Sequence, residues 1–303
     1  MRGLILAFGV LGLGLAPVAR AELELFSDSG IDGPPYREIY DNMGALAAQS
    51  SNWATVADYG VTPGGQDMRL IKIQAPGANR QNPRPAVLIS GSTHGNEYLN
   101  IEDRLPQWFL ENRRTSAGLT RFLNAGGVVY IIPIVNPDGY DRDTRGNNNG
   151  VDLNRDFDLI PTGDTGFREV ETRSLAEFLE RDFSAENVEL KVSVDYHCCD
   201  GSLLFPWSYT MDALPADVYD GHMAIAQAML NDIDRTYRYG STGQILGYTP
   251  RGTSKDYYFA RFGALSFTFE GNYRTEHQRF AAHTVWWDHI FGQVAASFAP
   301  SEE

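Results

Sequence analysis

Along the chain, short apolar runs alternate with longer amphipathic stretches. Ala86-Val87-Leu88-Ile89 ends in Ser90-Gly91, and the run from Val128 to Ile132 stops at Pro133. Segments 191–196 and 265–269 alternate apolar and polar positions, as half-buried strands do. Helical spacing marks 101–111, 167–183, 215–234 and 276–298, the last carrying Trp286 and Trp287. Strands and helices in alternation predict an α/β domain with a mixed, mostly parallel central sheet. Helices on both faces make it a three-layer α/β/α fold. Between 138 and 165 the chain turns to Gly, Asn and Asp. An irregular stretch of that length is expected to serve a function.

The ends have their own character. Arg2, the apolar residues 4–15 and Ala19-Arg20-Ala21 have the layout of a cleavable export signal over residues 1–21. An uncleaved anchor is the alternative, and either places the protein outside the cytoplasm. The apolar run is short for a membrane span, and no later run is long enough for one. Residues 22–33 are expected to be an arm, 34–298 the domain and 299–303 a tail. Losing Arg2 and Arg20 with the leader takes the formal charge from −14 to −16. So acidic a surface repels phosphate backbones and argues against a nucleic-acid partner. The chain has two cysteines, the neighbours Cys198 and Cys199. Adjacent residues close no useful loop, so buried free thiols are expected, with a vicinal disulfide as the alternative.

Chemistry-bearing residues collect where strands end, the edge at which open α/β sheets bind ligands. His94 and Glu97 follow the first apolar run, His197 follows 191–196, and Glu270 follows 265–269. Residues three apart on a helical turn share a face, so His94 and Glu97 can grip one ion. A third ligand, His197, would complete a catalytic zinc site with one position open for water. The Asn136-to-Tyr140 turn leads to Arg145 and then to Asn154-Arg155. Guanidinium forks in such a loop suit a substrate carboxylate; the alternative is that they pair with Asp141, Asp143 and Asp152.

His94-Gly95-Asn96-Glu97, Asn136 to Tyr140, Asn154-Arg155, His197 and Phe267-Thr268-Phe269-Glu270 occur in an order and spacing that resembles the zinc carboxypeptidases of the A/B type. The resemblance extends over residues 34–298. It includes a first helix over 36–48 and a hairpin around Gly64 to Arg69. It implies one Zn²⁺ per chain, held by His94, Glu97 and His197. Glu270 would be the general base, taking a proton from the activated water and passing it to the leaving amine. Arg145 would stabilise the oxyanion, Asn154 and Arg155 would hold the terminal carboxylate, and Tyr248 would close over the substrate.

The chain departs from the digestive enzymes at Asn96, where an arginine is usual; His-Gly-Asn-Glu looks like the regulatory branch. A domain starting near residue 34 suggests a bacterial-type exported member without a pro-segment. Alignment through Tyr248 and Glu270 puts Lys255 at the base of the side-chain pocket, with Arg251 nearby. A lysine there implies an acidic C-terminal residue; the alternative is a Lys255 paired with Asp256 or turned to solvent. The expected partner is a peptide with a free C-terminus, cut by a monomer. A muropeptide cleaved at diaminopimelate and an acylated amino acid, as in aspartoacylase-like relatives, are the other substrate classes. A non-catalytic binding protein is the remaining alternative.

Overall fold

A computed structural model describes residues 33–78, 83–272 and 274–298. The expected signal segment and tail lie outside the described residues. In chain order the elements are α1 (Tyr36–Gln49), β1 (Ala54–Val61), β2 (Asp67–Gln74), β3 (Arg84–Gly91), α2 (Leu105–Asn112), α3 (Ala117–Asn124), β4 (Val128–Ile132) and α4 (Pro137–Asp141). Then come α5 (Val170–Glu186), β5 (Val188–Cys198), β6 (Ser202–Phe205), α6 (Ala216–Asp232), β7 (Arg238–Ser241), α7 (Thr242–Leu246), α8 (Ser254–Phe262), β8 (Leu265–Gly271) and α9 (Phe280–Ser297).

The strands form one mixed sheet in the order β1-β2-β4-β3-β5-β8-β6-β7. Its centre, β4-β3-β5-β8, is parallel, and the β1-β2 hairpin closes one edge antiparallel. The central strands are buried on both faces, which is why they read as continuous apolar runs. One face packs Phe109, Phe122, Ile225, Trp286, Trp287 and Phe291 from α2, α3, α6 and α9. The other packs Phe178, Leu179, Phe183, Tyr257 and Tyr258 from α5 and α8. This is the three-layer α/β/α architecture expected from the pattern.

Three helix starts differ from the spacing: α5, expected from 167, begins at Val170, because Phe167 sits at φ +54 outside the helical region. The helix expected from 101 begins at Leu105, because the buried Glu102 carboxylate accepts the backbone N–H of Ile101 and Pro106 opens the first turn. The helix expected from 276 begins as a 3₁₀ turn, Glu276–Arg279, and becomes α at Phe280. The cysteines depart further: Cys198 and Cys199 are joined as a vicinal disulfide, and no free cysteine remains among the described residues. The strand end holds both residues beside each other, so the thiols meet although the bridge closes no loop.

Candidate active site

Parallel strands point the same way, so β3, β5 and β8 deliver their C-terminal residues to one edge. His197 pairs in register with Glu270 across β5 and β8. His94 and Glu97 lie in the turn that follows β3, closed by the Glu97 N–H donating to the His94 carbonyl. Gly95 permits that turn to sit where it does. A Cβ there would lie 2.0 Å from the Gly139 carbonyl carbon. The His94 turn therefore rests on the backbone of the Asn136–Tyr140 turn, which the Asn136 side chain caps by accepting from the Gly139 N–H.

Three atoms converge at this edge. The His94 Nδ1 is 2.9 Å and the His197 Nδ1 2.8 Å from Glu97 Oε2, and the two nitrogens are 3.1 Å apart. The other ring nitrogens face carboxylates: His94 Nε2 meets Asp152 at 2.9 Å and His197 Nε2 meets Asp195 at 2.9 Å. Those partners hold the proton on Nε2 and turn both Nδ1 lone pairs inward. Two lone pairs and a carboxylate oxygen so close repel unless a cation lies among them. Tetrahedral zinc ligands stand roughly 3.3 Å apart for bonds of about 2.0–2.1 Å, so the triangle needs only slight expansion. Burial opposes a charge on His197, but Asp195 and Glu97 outweigh it and raise its pKa well above the ordinary imidazole value. Positive charge is what this pocket is built to hold, and the donor set fits zinc.

Around the triad lies a cleft that His94, Arg145, Asn154, Tyr248, Lys255 and Glu270 line together. Arg145 Nη1 donates to Glu97 Oε1 at 2.9 Å, while its Nε and Nη2 clasp Asp152. The pairing with Asp152 expected as an alternative thus exists, within the site itself. Asn154 Oδ1 accepts from the Ser254 N–H, which leaves its NH₂ end as the donor. Arg155 borders the same cleft and pairs with no carboxylate among the described residues. Gly252, at φ +72, brings the loop before α8 against the Arg155 carbonyl. Tyr248 stands at the mouth, 36% exposed.

Glu270 is buried, and its Oε2 has no hydrogen-bond partner among the described residues. Desolvation pushes its carboxyl up to about 8, with the Glu97 charge adding to the rise and His197 opposing it. Lys255 is buried at the far end of the cleft, donating to the hydroxyls of Ser208 and Thr242. Among the described residues no carboxylate pairs with it; the neighbouring Asp256 accepts instead from the Ser208 N–H and hydroxyl. Burial pulls the ammonium below the ordinary lysine value, against the opposing pull of Asp256. Arg251 does not join it: it lies at the surface with Asp164 and Thr162. Asp195, Ser208, Thr242 and Ser254 join the site without standing out in the sequence. Asp195 alone carried a signal, since a carboxylate two positions before a strand histidine shares its face.

A mixed sheet thus gathers a His–Glu–His group that could hold a metal ion, a buried carboxylate and a guanidinium at its carboxyl edge. A family model described as zinc carboxypeptidase matches residues 39–285, and the chain belongs to that family. Zinc is the family's metal, and His94, Glu97 and His197 form the group that could hold one ion. Among curated proteins, the chain is similar to the "Inactive metallocarboxypeptidase ECM14" of Arthroderma gypseum. The two are 26% identical over 220 residues, 62% of this chain and 37% of that protein. The match thus spans little more than a third of that relative's length. It is also similar to the carboxypeptidase B of Astacus astacus, 26% identical over 277 residues, 78% of this chain and 87% of that one. In structure it resembles the carboxypeptidase A of Helicoverpa armigera, with a TM-score of 0.72, 22% identity and coverage of 94% of this chain and 80% of that one. A metallo-carboxypeptidase of Burkholderia cenocepacia aligns with a TM-score of 0.68 at 18% identity, over 87% of this chain and 69% of that one. At these identities the solved structures speak for the fold alone. No helix of the described residues is long and apolar enough to cross a membrane.

Proposed function

We propose that the protein is an exported, zinc-dependent metallocarboxypeptidase that removes the C-terminal residue of a peptide, with a preference for an acidic one. The observation that carries the reading is the one cleft that His94 and Glu97 of the metal group line together with Glu270, Arg145, Asn154 and Lys255. His94, Glu97 and His197 would hold the metal. Bound zinc supplies Lewis acidity, which makes water nucleophilic near neutral pH. Asn154 and Arg155 orient the terminal carboxylate, and Tyr248 covers it. Glu270, unpartnered and desolvated, takes the proton of the attacking water and passes it to the leaving amine. Arg145 offers positive charge to the developing oxyanion. Lys255 meets the terminal side chain: a buried ammonium with only hydroxyl partners gains a counter-ion when an acidic residue enters.

Relatives named inactive make a binding role the competing reading. The complete metal group and an unpartnered Glu270 in one cleft favour turnover. Residues 1–21 support export, and an exported enzyme meets wall peptides as well as protein fragments. Lys255 would serve the extra carboxylate of diaminopimelate as readily as a glutamate. The deciding experiment offers the purified protein peptides ending in Glu, Lys or Phe, together with muropeptides, with and without chelator. Cleavage that favours the acidic ends and stops with chelator is expected. Indifference to chelator overturns the zinc reading, and a preference for Lys overturns the role of Lys255.

A further inference from the structure

Asp195 lies on β5 two residues before His197 and is buried at 2% exposure. It accepts four hydrogen-bond donors. Ser90 Oγ reaches its Oδ1 at 2.8 Å, Thr93 Oγ1 bridges both oxygens at 3.1 Å, Ser254 Oγ reaches Oδ2 at 2.7 Å and His197 Nε2 reaches Oδ2 at 2.9 Å. A carboxylate has about four lone-pair sites, so Asp195 is saturated. Its donors come from three parts of the chain. Ser90 and Thr93 flank the turn into His94, His197 is on its own strand, and Ser254 is the first residue of α8. Ser254 uses its other donor at the same time: its backbone N–H bonds Asn154 Oδ1 at 2.9 Å. The next residue of α8 is Lys255, which borders the cleft.

We propose that Asp195 and Ser254 form a buried relay that fixes the metal ligand His197 and the substrate-facing Asn154 as one rigid unit. Both are positioning residues. Asp195 sets the ring of His197 and, through Thr93, the approach of His94. Ser254 locks α8 to that carboxylate and fixes which end of the Asn154 amide points at the substrate. Remove the hydroxyl and two separate properties should change: Asp195 loses a donor beside the metal ligand, and α8, with Asn154 and Lys255, loosens against β5. The proposal rests on the metal-site reading above.

The test measures zinc affinity by chelator competition, and KM and kcat of zinc-saturated enzyme on its best peptide, for wild type, Ser254→Ala, Ser254→Thr and Asp195→Asn. Loss of an outer partner typically weakens metal binding about 10–100-fold, which is the expectation for Asp195→Asn. Ser254→Ala is expected to weaken zinc severalfold and raise KM severalfold with little change in kcat, and Ser254→Thr, which keeps the hydroxyl, to restore both. Should Ser254→Ala fail to fold, the nearly isosteric Asp195→Asn still decides the metal half of the relay. Normal zinc affinity in both Ser254→Ala and Asp195→Asn overturns the relay alone. So does a Ser254→Thr variant as impaired as Ser254→Ala, since that marks a packing effect. Wild-type protein that binds no zinc overturns the metal-site reading and the relay together.

Discussion

Glu270 and Lys255 are the residues whose surroundings contrast most with their chemistry. Each is a chargeable group, buried and, among the described residues, without an opposite charge in hydrogen-bond contact. Such a state is costly in a folded protein and is retained where the group acts on a ligand. Glu270→Gln keeps the shape and removes the proposed base, so we expect zinc to bind normally while turnover falls by several orders of magnitude. Metal content and kcat of the purified variant check this together. Lys255→Met removes the buried cation and leaves the Ser208 and Thr242 hydroxyls bonded to each other. The folded-state pKa of Lys255 lies below the unfolded value, so its penalty is full below the folded pKa and fades as pH climbs towards 10.5. Lys255→Met should therefore melt above wild type at pH 7, the gap should close towards pH 10, and the preference for acidic termini should vanish. A lower melting temperature at pH 7 would count against an unpaired ammonium there. The residue identities of the triad and Glu270 were legible in the sequence, because His and Glu after apolar runs are conspicuous. Ser254 was not, and Asp195 showed only in its place two positions before His197, since one serine opening a helix and one aspartate on a strand have many ordinary roles until the strands are laid side by side.

At the scale of elements, the site is built from strand ends and the turns that leave them. The turn after β3 carries two metal-site residues and leads to a second buried carboxyl, Glu102. Burial, helped by the neighbouring Asp103, raises Glu102 to about 8, although the backbone N–H groups of Glu102, Ile101 and Leu99 oppose the rise. The folded state thus keeps a proton that the unfolded chain releases near 4.5. Between those values the folded state binds more protons, so stability falls as pH rises, by up to about 1.4 kcal/mol per pH unit. Glu102→Gln copies the protonated form. Denaturant melts should give wild type and variant similar stability near pH 5, with the variant increasingly ahead by pH 8; parallel curves would place the proton elsewhere. The helices were legible where an apolar stripe ran uninterrupted, as in α6, while α5 lies three residues later than its spacing predicts. The starts of α2 and α9 shifted because Glu102 and Glu276 spend carboxylate hydrogen bonds on local backbone, a competition that spacing does not report.

For the molecule as a whole, metal and fold should be one thermodynamic system. A ligand that binds only the folded chain stabilises it by about 2.7 kcal/mol at a hundredfold excess over its Kd. Zinc should therefore raise the melting temperature and chelator lower it, while His197→Ala should melt at the same temperature in both. A wild-type Tm that ignores chelator would separate the triad from any metal. The sequence by itself determined the class of fold and the candidate residues, because apolar periodicity and the order of motifs are local facts. It could not determine which carboxylate faces which imidazole, that Arg145 bridges Glu97 and Asp152, that Arg251 turns to the surface, or that Cys198 and Cys199 are joined. Those depend on strand order and register: β5 lies between β3 and β8 in the sheet although β4 and a long loop separate it from β3 in the chain. Only that crossing brings residues a hundred positions apart within one hydrogen bond of each other.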